Sequence, residues 1–394
     1  MPRLPFDLEA RRPYLVQAFS DAEYARRVDA VRGGMERRGL DALIIYAGAA
    51  SPSAAVYLTN YGPAWGNAFV ILRANGEMTV TTDAVLHGEP MHSMIWTCRV
   101  PDVRVALGPV YGGAVDEVAV LAADAVGGAP RVGLAGMAHL PQPLYAALSR
   151  RLTHLRAADD LLAAVRLEKS DEEIGKMREA GRAADAAMEA VFETLRAGVE
   201  ETDVAAAAVR RLLVLGAREA FSTCVVAGAQ AGLKHGMSRR RTLRPGEMVF
   251  IDLGAACDGY MSDLSRCAMV GRATGAGRDL LAVGLDLYHA GLRAMGPGRT
   301  IDDVSAALLD VVRGTRFEDQ YCPGGFGHGI GMSVIEAPGL YMGNTTELRP
   351  RMTVAYEPMV VVEGLGTGVV EDTLLITERG FERLTSYPIV TWDA

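Results

Sequence analysis

MVFIDLGAACDGYMSDLSR, running from Met248 to Arg266, places one aspartate on each side of an Asp258-Gly259 pair. MVFIDL is an apolar strand with Asp252 near its end, and YMSDLSR is a return strand carrying Asp263. Asp-Gly is a preferred pair for a two-residue type I′ hairpin turn. With Asp258 and Gly259 as the loop, Asp263 falls opposite Gly254, and Asp252 becomes its diagonal neighbour on the same face. Two carboxylates aimed at one spot beside small residues require a cation; otherwise one must stay protonated.

A second acidic pair follows the same logic. Glu357 ends the apolar run MTVAYE, and Glu371 lies in GVVEDT. Between them Glu363-Gly364-Leu365-Gly366 supplies a turn, and a loop centred on Gly364 sets the two glutamates directly opposite each other. One strand carboxylate alone usually marks a solvated face. Four on two hairpins, all flanked by apolar residues, reverse that expectation. His328, in the glycine-packed GFGHGIG, adds one imidazole. A set of two Asp, two Glu and one His suits two divalent ions of the harder kind, Mn, Co or Fe, with Zn possible. Bridging carboxylates hold such ions about 3.5–4 Å apart, where they can activate one shared water.

The rest of the chain frames this site. With 394 residues, 49% hydrophobic and 22% charged, it has the balance of a globular protein with a sizeable core. A net charge of −8 without an extended basic block argues against a nucleic-acid partner. Five scattered cysteines without a CxxC pair fit a reducing compartment, and the charged N-terminus is unlike a signal peptide, so a cytoplasmic, non-membrane protein is expected. The uncharged stretch from Ala42 to Leu72 is broken by Pro and Gly and reads as short buried strands with turns. There is no GxxxxGK[ST], HExxH or GxSxG motif. Strands such as ALIIYA, AFVILR and RVGLAG alternate with helical patterns in the first half, predicting an α/β layer. Ser170 and Glu173 open a long helix with a capping box, followed by helices over Asp203–Leu215 and Gly277–Met295. Helices beside paired strands predict an α+β second half. The domains expected are residues 1–164 and 165–394. No internal repeat is evident.

The order Asp252, Asp263, His328, Glu357, Glu371, with the words IDLGAACDGYMSDLSR, GHGIG, YEP and VEDT, resembles the pita-bread metallohydrolases: methionine aminopeptidase, aminopeptidase P, prolidase and creatinase. RLEKSDEEIGKMREAGRAAD resembles the start of that catalytic domain. YARRVDAVRGGMERRGLDALII and AVYLTNYG resemble the creatinase-type N-terminal domain. The resemblance implies an α/β creatinase-like domain followed by an α+β pita-bread domain, in a homodimer of the prolidase, aminopeptidase P and creatinase branch. It implies that Asp252 chelates one metal, that Asp263 and Glu371 bridge both, and that His328 and Glu357 complete the second. It further implies that His235, in AGLKHGMS, contacts the substrate and that Glu357 takes a proton from the shared water.

Two positions depart from the family pattern. Ile335 stands where family peptidases usually carry a second histidine, and Val369 where they commonly carry an arginine. The activity implied is hydrolysis of a peptide or amide C–N bond, with an Xaa-Pro peptide as the default small substrate. The two departures favour as alternative a small non-peptide amide or compatible-solute-type substrate. A metal-free creatinase-like enzyme and a non-catalytic binding module are further alternatives. Ile335, with Trp65 and His92 from an N-terminal domain that in this family commonly borders a neighbouring active site, are the substrate-side candidates.

Overall fold

The computed structural model describes residues 17–83, 97–109, 112–232, 236–321, 324–390 and 392–393. The chain divides into two compact units, residues 1–166 and 167–394.

In the first unit, α1 (Asp21–Arg37) leads into β1 (Ala42–Gly48), α2 (Ser53–Thr59), β2 (Asn67–Arg73), β3 (Met78–Thr82) and β4 (Asp102–Val105). There follow α3 (Glu117–Ala125), β5 (Val132–Ala135), α4 (Gln142–Arg151), β6 (Leu155–Ala157) and α5 (Asp159–Leu167). The strands form one mixed sheet, β4-β3-β2-β1-β5-β6. β1 is buried along its whole length, the mark of a strand covered on both faces, which explains its unbroken apolar run. The Ala42–Leu72 stretch is not strands and turns alone. Ser53 to Thr59 is helical, ended by Asn60 in the left-handed conformation at φ 58°.

The second unit opens on the expected capping box. At the start of α6 (Asp171–Thr194), Ser170 Oγ accepts from Glu173 N–H over 3.2 Å, and Glu173 Oε2 accepts from Ser170 N–H over 2.6 Å. α7 (Glu201–Val214), β7 (Arg218–Glu219), β8 (Cys224–Ala227), β9 (Met248–Leu253), β10 (Ala255–Cys257), β11 (Tyr260–Met261) and β12 (Leu264–Met269) follow. Next come α8 (Gly275–Ala294), α9 (Ile301–Val312), β13 (Gly327–Gly329), β14 (Glu336–Leu340), β15 (Thr353–Tyr356), β16 (Met359–Val362), β17 (Gly366–Val369), β18 (Asp372–Thr377) and β19 (Gly380–Arg383). The main sheets are β12-β9-β8 and β14-β13-β15-β18-β19.

β9 lies between two packed layers. Val249 and Ile251 join the core formed with α6 and α7, while Met248 and Phe250 join the core formed with α8 and α9. Continuing this period-two alternation puts Asp252 on the Met248 and Phe250 face.

The backbone also carries a repeat. α6–α7 and α8–α9 are helix pairs joined by the same kind of turn. Gly198 N–H donates to Leu243 O, and Gly298 N–H to Leu348 O. Glu201 N–H donates to Arg241 O, and Ile301 N–H to Thr346 O. The expectation of no repeat is corrected: the hydrogen-bonding scheme recurs, and Gly198, Asp203 and Val204 have Gly298, Asp303 and Val304 as their counterparts.

Candidate metal centre

The first acidic hairpin turns at Asp258 and Gly259, both left-handed, at φ 48° and 87°. Ala256 pairs with Met261 and Cys257 with Tyr260. Beyond a break, Leu253 pairs with Leu264 and Asp252 with Ser265. The register is unchanged across the break, so Asp263 lies opposite Gly254, as the turn chemistry predicts. At the break the arms leave one sheet for another. A Cβ at Gly254 would come within 2.4 Å of Ser262 O, so only glycine fits this crossing.

The second hairpin repeats the device. Val362 pairs with Gly366 and Met359 with Val369, around Gly364 at φ 74°. After a break Tyr356 pairs with Asp372. The same register carries Glu357 opposite Glu371. Each break frees backbone groups that then bond elsewhere: Glu371 N–H to Ser265 O at 3.2 Å, and Glu357 N–H to Phe326 O at 3.0 Å.

These breaks converge. One carboxylate oxygen each from Asp252, Asp263 and Glu371 lies within 4.8 Å of the others, and all three residues are buried. His328, on β13, places Nε2 3.8 Å from Asp263 Oδ2 and 3.9 Å from Glu357 Oε1. Its Nδ1 lies 3.1 Å from Gly329 O. A hydrogen on Nδ1 donated there leaves Nε2 with its lone pair toward the acids, the arrangement typical of a metal-ligating histidine.

The electrostatics favour a proton or a cation among these acids. Burial, reinforced by the Glu357 charge, pushes the Asp252 carboxyl up to about 7. Burial, then Asp252 and Glu357, hold Asp263 well above the usual carboxylate range. Burial, then Asp263, Glu357 and Asp252, do the same for Glu371. Asp263 Oδ1 is buried and has no hydrogen-bond partner. A buried oxygen without a donor, amid like charges, is a poor structural element and a good ligand for a divalent cation.

Two residues at this site are not evident from the acid pattern. Ser265 Oγ lies 3.2 Å from Asp252 Oδ1 and also hydrogen-bonds Glu371. Thr373 Oγ1 accepts from Asp263 N–H at 2.8 Å. Ser265 was findable, because the predicted register sets it across from Asp252. Ile335 is 72% exposed. Val369 is only 3% exposed and packs into the core beneath α8 and α9. Trp65 belongs to the first unit and is 63% exposed. His235 and His92 lie outside the described residues.

The profile of metallopeptidase family M24 matches residues 175–378, a stretch that contains all five proposed ligands. The chain belongs to metallopeptidase family M24. This family includes the creatinase, prolidase and aminopeptidase P group that the motifs resemble. An Xaa-Pro dipeptidase of Pyrococcus furiosus is 32% identical over 228 residues, 58% of this chain and 65% of that protein. The chain thus spans just under two thirds of the length of that curated relative. The prolidase structure from Pyrococcus horikoshii OT3 superposes with a TM-score of 0.80 at 23% identity, covering 92% of this chain and 99% of that one. The prolidase structure from Pyrococcus furiosus gives 0.76 at 25% identity, covering 91% and 99%. The M24 fold, an α/β N-terminal domain with a pita-bread domain, therefore extends over nearly the whole chain. Membership of a metallopeptidase family and the acidic cluster together imply divalent metal.

Proposed function

We propose that this protein is a metal-dependent peptidase of the Xaa-Pro type, acting on small peptides. The observation that carries the reading is the cluster of three buried carboxylates, in a chain one third identical to an Xaa-Pro dipeptidase over its catalytic half. The residues proposed to hold two divalent ions, Mn, Co, Fe or Zn, are Asp252, Asp263, His328, Glu357 and Glu371. When bound, such a pair supplies an activated water and a Lewis acid. Glu357, the most exposed of the four acids, would accept the proton that the attacking water gives up. His235 donates to the substrate carbonyl as its oxygen gains charge. Trp65, His92 and Ile335 are proposed to lie on the substrate side. The first two rest on analogy with N-terminal domains that border a neighbouring site in a homodimer.

A second reading has a specific observation behind it. The residue before Glu336 is an exposed isoleucine, and the residue two before Glu371 is buried in the core. A peptide therefore finds neither imidazole nor guanidinium at these positions, which favours a small non-peptide amide. The assembled cluster counts against a metal-free enzyme or a pure binding module.

No helix among the described residues is long and apolar enough to cross a membrane. Cys98, Cys224, Cys257 and Cys267 are free thiols. These features support a cytoplasmic location, which remains part of the proposal. A panel of Xaa-Pro dipeptides, Xaa-Pro tripeptides and acylated amino acids, assayed with each metal, tests the assignment. Turnover of Xaa-Pro peptides supports the first reading. Turnover of acylated amino acids alone overturns it in favour of the second.

A further inference from the structure

Each acidic hairpin carries the group that holds the other. Asp263 N–H donates to Thr373 Oγ1 over 2.8 Å, and Thr373 Oγ1 donates back to Asp263 O over 2.9 Å. Thr373 stands two residues after Glu371. In return Arg266, three residues after Asp263, donates from Nη1 to Glu371 O over 2.6 Å and to Ser265 O over 2.8 Å. Both Thr373 and Arg266 are fully buried.

Arg266 makes five contacts in all. Nε donates to Pro388 O over 2.8 Å, and Nη2 to Tyr387 O over 2.8 Å and to Asp372 Oδ1 over 3.1 Å. A guanidinium has five N–H hydrogens in a fixed planar fork, so its capacity is filled. Asp372 is satisfied in turn: Thr385 Oγ1 donates to Oδ1 over 2.7 Å, and Tyr288 and Arg383 reach Oδ2. Burying a charge this deeply costs stability unless each partner is met, and here each is met.

The location of these bonds is what matters. Asp263 and Glu371 both sit where their hairpin ladders are broken, so neither is held by ordinary cross-strand pairing. The bonds from Thr373 and Arg266 fall on the backbones of those two residues. They replace the missing ladder with a direct tie from one hairpin to the other. Tyr387 and Pro388 supply two of the Arg266 acceptors, which makes the C-terminal segment part of the tie.

We propose that Thr373 and Arg266 form a reciprocal brace that fixes the separation of Asp263 and Glu371, and so sets the affinity of the site for divalent cations. Both are positioning residues, and the inference rests on the metal-binding reading above. A carboxylate pair held at ligand spacing before the ion arrives loses less freedom on binding, which is how outer residues tune such sites.

The test is calorimetric titration of the metal-free protein with Mn²⁺ alone, beside thermal unfolding of the same samples. Thr373→Ser keeps the hydroxyl and should bind within about threefold of wild type. Thr373→Val keeps the shape without the hydroxyl and should bind roughly 10–100-fold more weakly. Arg266→Lys keeps the charge but offers fewer donors without the fork, and should also weaken binding. If Thr373→Val unfolds, the Ser and Lys variants decide the matter. Wild-type Mn²⁺ affinity in Thr373→Val or Arg266→Lys, whatever happens to the unfolding temperature, overturns the brace. So does an equal loss in Thr373→Ser and Thr373→Val. A wild-type protein that takes up no Mn²⁺ overturns the metal reading itself, a distinct result.

Discussion

Ser265 stands directly across the ladder from Asp252, with its hydroxyl 3.2 Å from Asp252 Oδ1. The same hydroxyl hydrogen-bonds Glu371 from the other hairpin. One small side chain therefore sits between two acids; its hydroxyl has a single hydrogen, so it donates to one and accepts from the other when that acid is protonated. Removing it in Ser265→Ala leaves both acids with one fewer partner. The expected result is weaker Mn²⁺ binding, by roughly tenfold as for other outer-shell losses. Titration of wild type and variant side by side reads this directly, and equal affinities would exclude a linking role.

Asp263→Asn should abolish Mn²⁺ uptake, measured by elemental analysis after reconstitution. It should do so without unfolding the protein. Asp263 is held well above the ordinary carboxylate range by burial and by Asp252 and Glu357, so its charge is a liability in the metal-free state. The variant's metal-free unfolding temperature near pH 8 is expected at or above that of wild type. A variant that keeps full metal content would remove Asp263 from the ligand set.

The raised carboxyl pKa values fix the sign of a pH dependence. An unfolded Asp or Glu titrates near pH 4. Asp252 titrates near 7 in the folded chain, and Asp263 and Glu371 are also raised. Between these values the native state binds protons that the unfolded chain has released. The Asp252 contribution is full below about pH 4 and is lost as pH rises through about 7; those of Asp263 and Glu371 have the same sign and are lost as pH rises through their own raised values. The metal-free protein should therefore melt at lower temperature at pH 8 than at pH 5. Mn²⁺ should restore more at pH 8, where fewer protons compete for the ligands. Calorimetry with and without chelator tests this, and Asp252→Asn should flatten the metal-free slope. An unchanged slope in that variant would assign the dependence to other groups.

His235→Ala should retain metal and lower kcat by roughly 10²–10⁴-fold, the scale for losing an acid–base or oxyanion partner. Loss of the metal along with the histidine would instead make it a ligand.

Ile335→His restores the imidazole that related peptidases carry. At 72% exposure the change should alter stability by no more than about 0.5 kcal/mol. On an Xaa-Pro dipeptide it should raise kcat/KM by about tenfold or more, within the usual reach of a positioned imidazole. No gain, with efficient wild-type cleavage, would show that this position does not limit peptide hydrolysis.

Much of the site was legible because hairpin register is local. The Asp258-Gly259 turn and the glycine-centred loop at Gly364 fixed which residues face one another, and period-two alternation fixed which way each acid points. The capping box at Ser170 was equally local. Helix α9 escaped, although Thr300 and Asp303 form its capping box, and so did the short helix α2 inside an apolar run.

What the sequence by itself determined is the acid inventory, the two registers and the family those residues announce. Only the tertiary structure decided that the hairpin breaks meet, that His328 faces Asp263 and Glu357, that Ile335 is exposed, and that Thr373 and Arg266 tie the two strands together. Ser265 and Glu371 are 106 positions apart, and Asp263 and Thr373 are 110 apart. Turn chemistry and alternation act over a few residues. Contacts at this range depend on how four helices pack two sheets against each other, and no local rule carries that information.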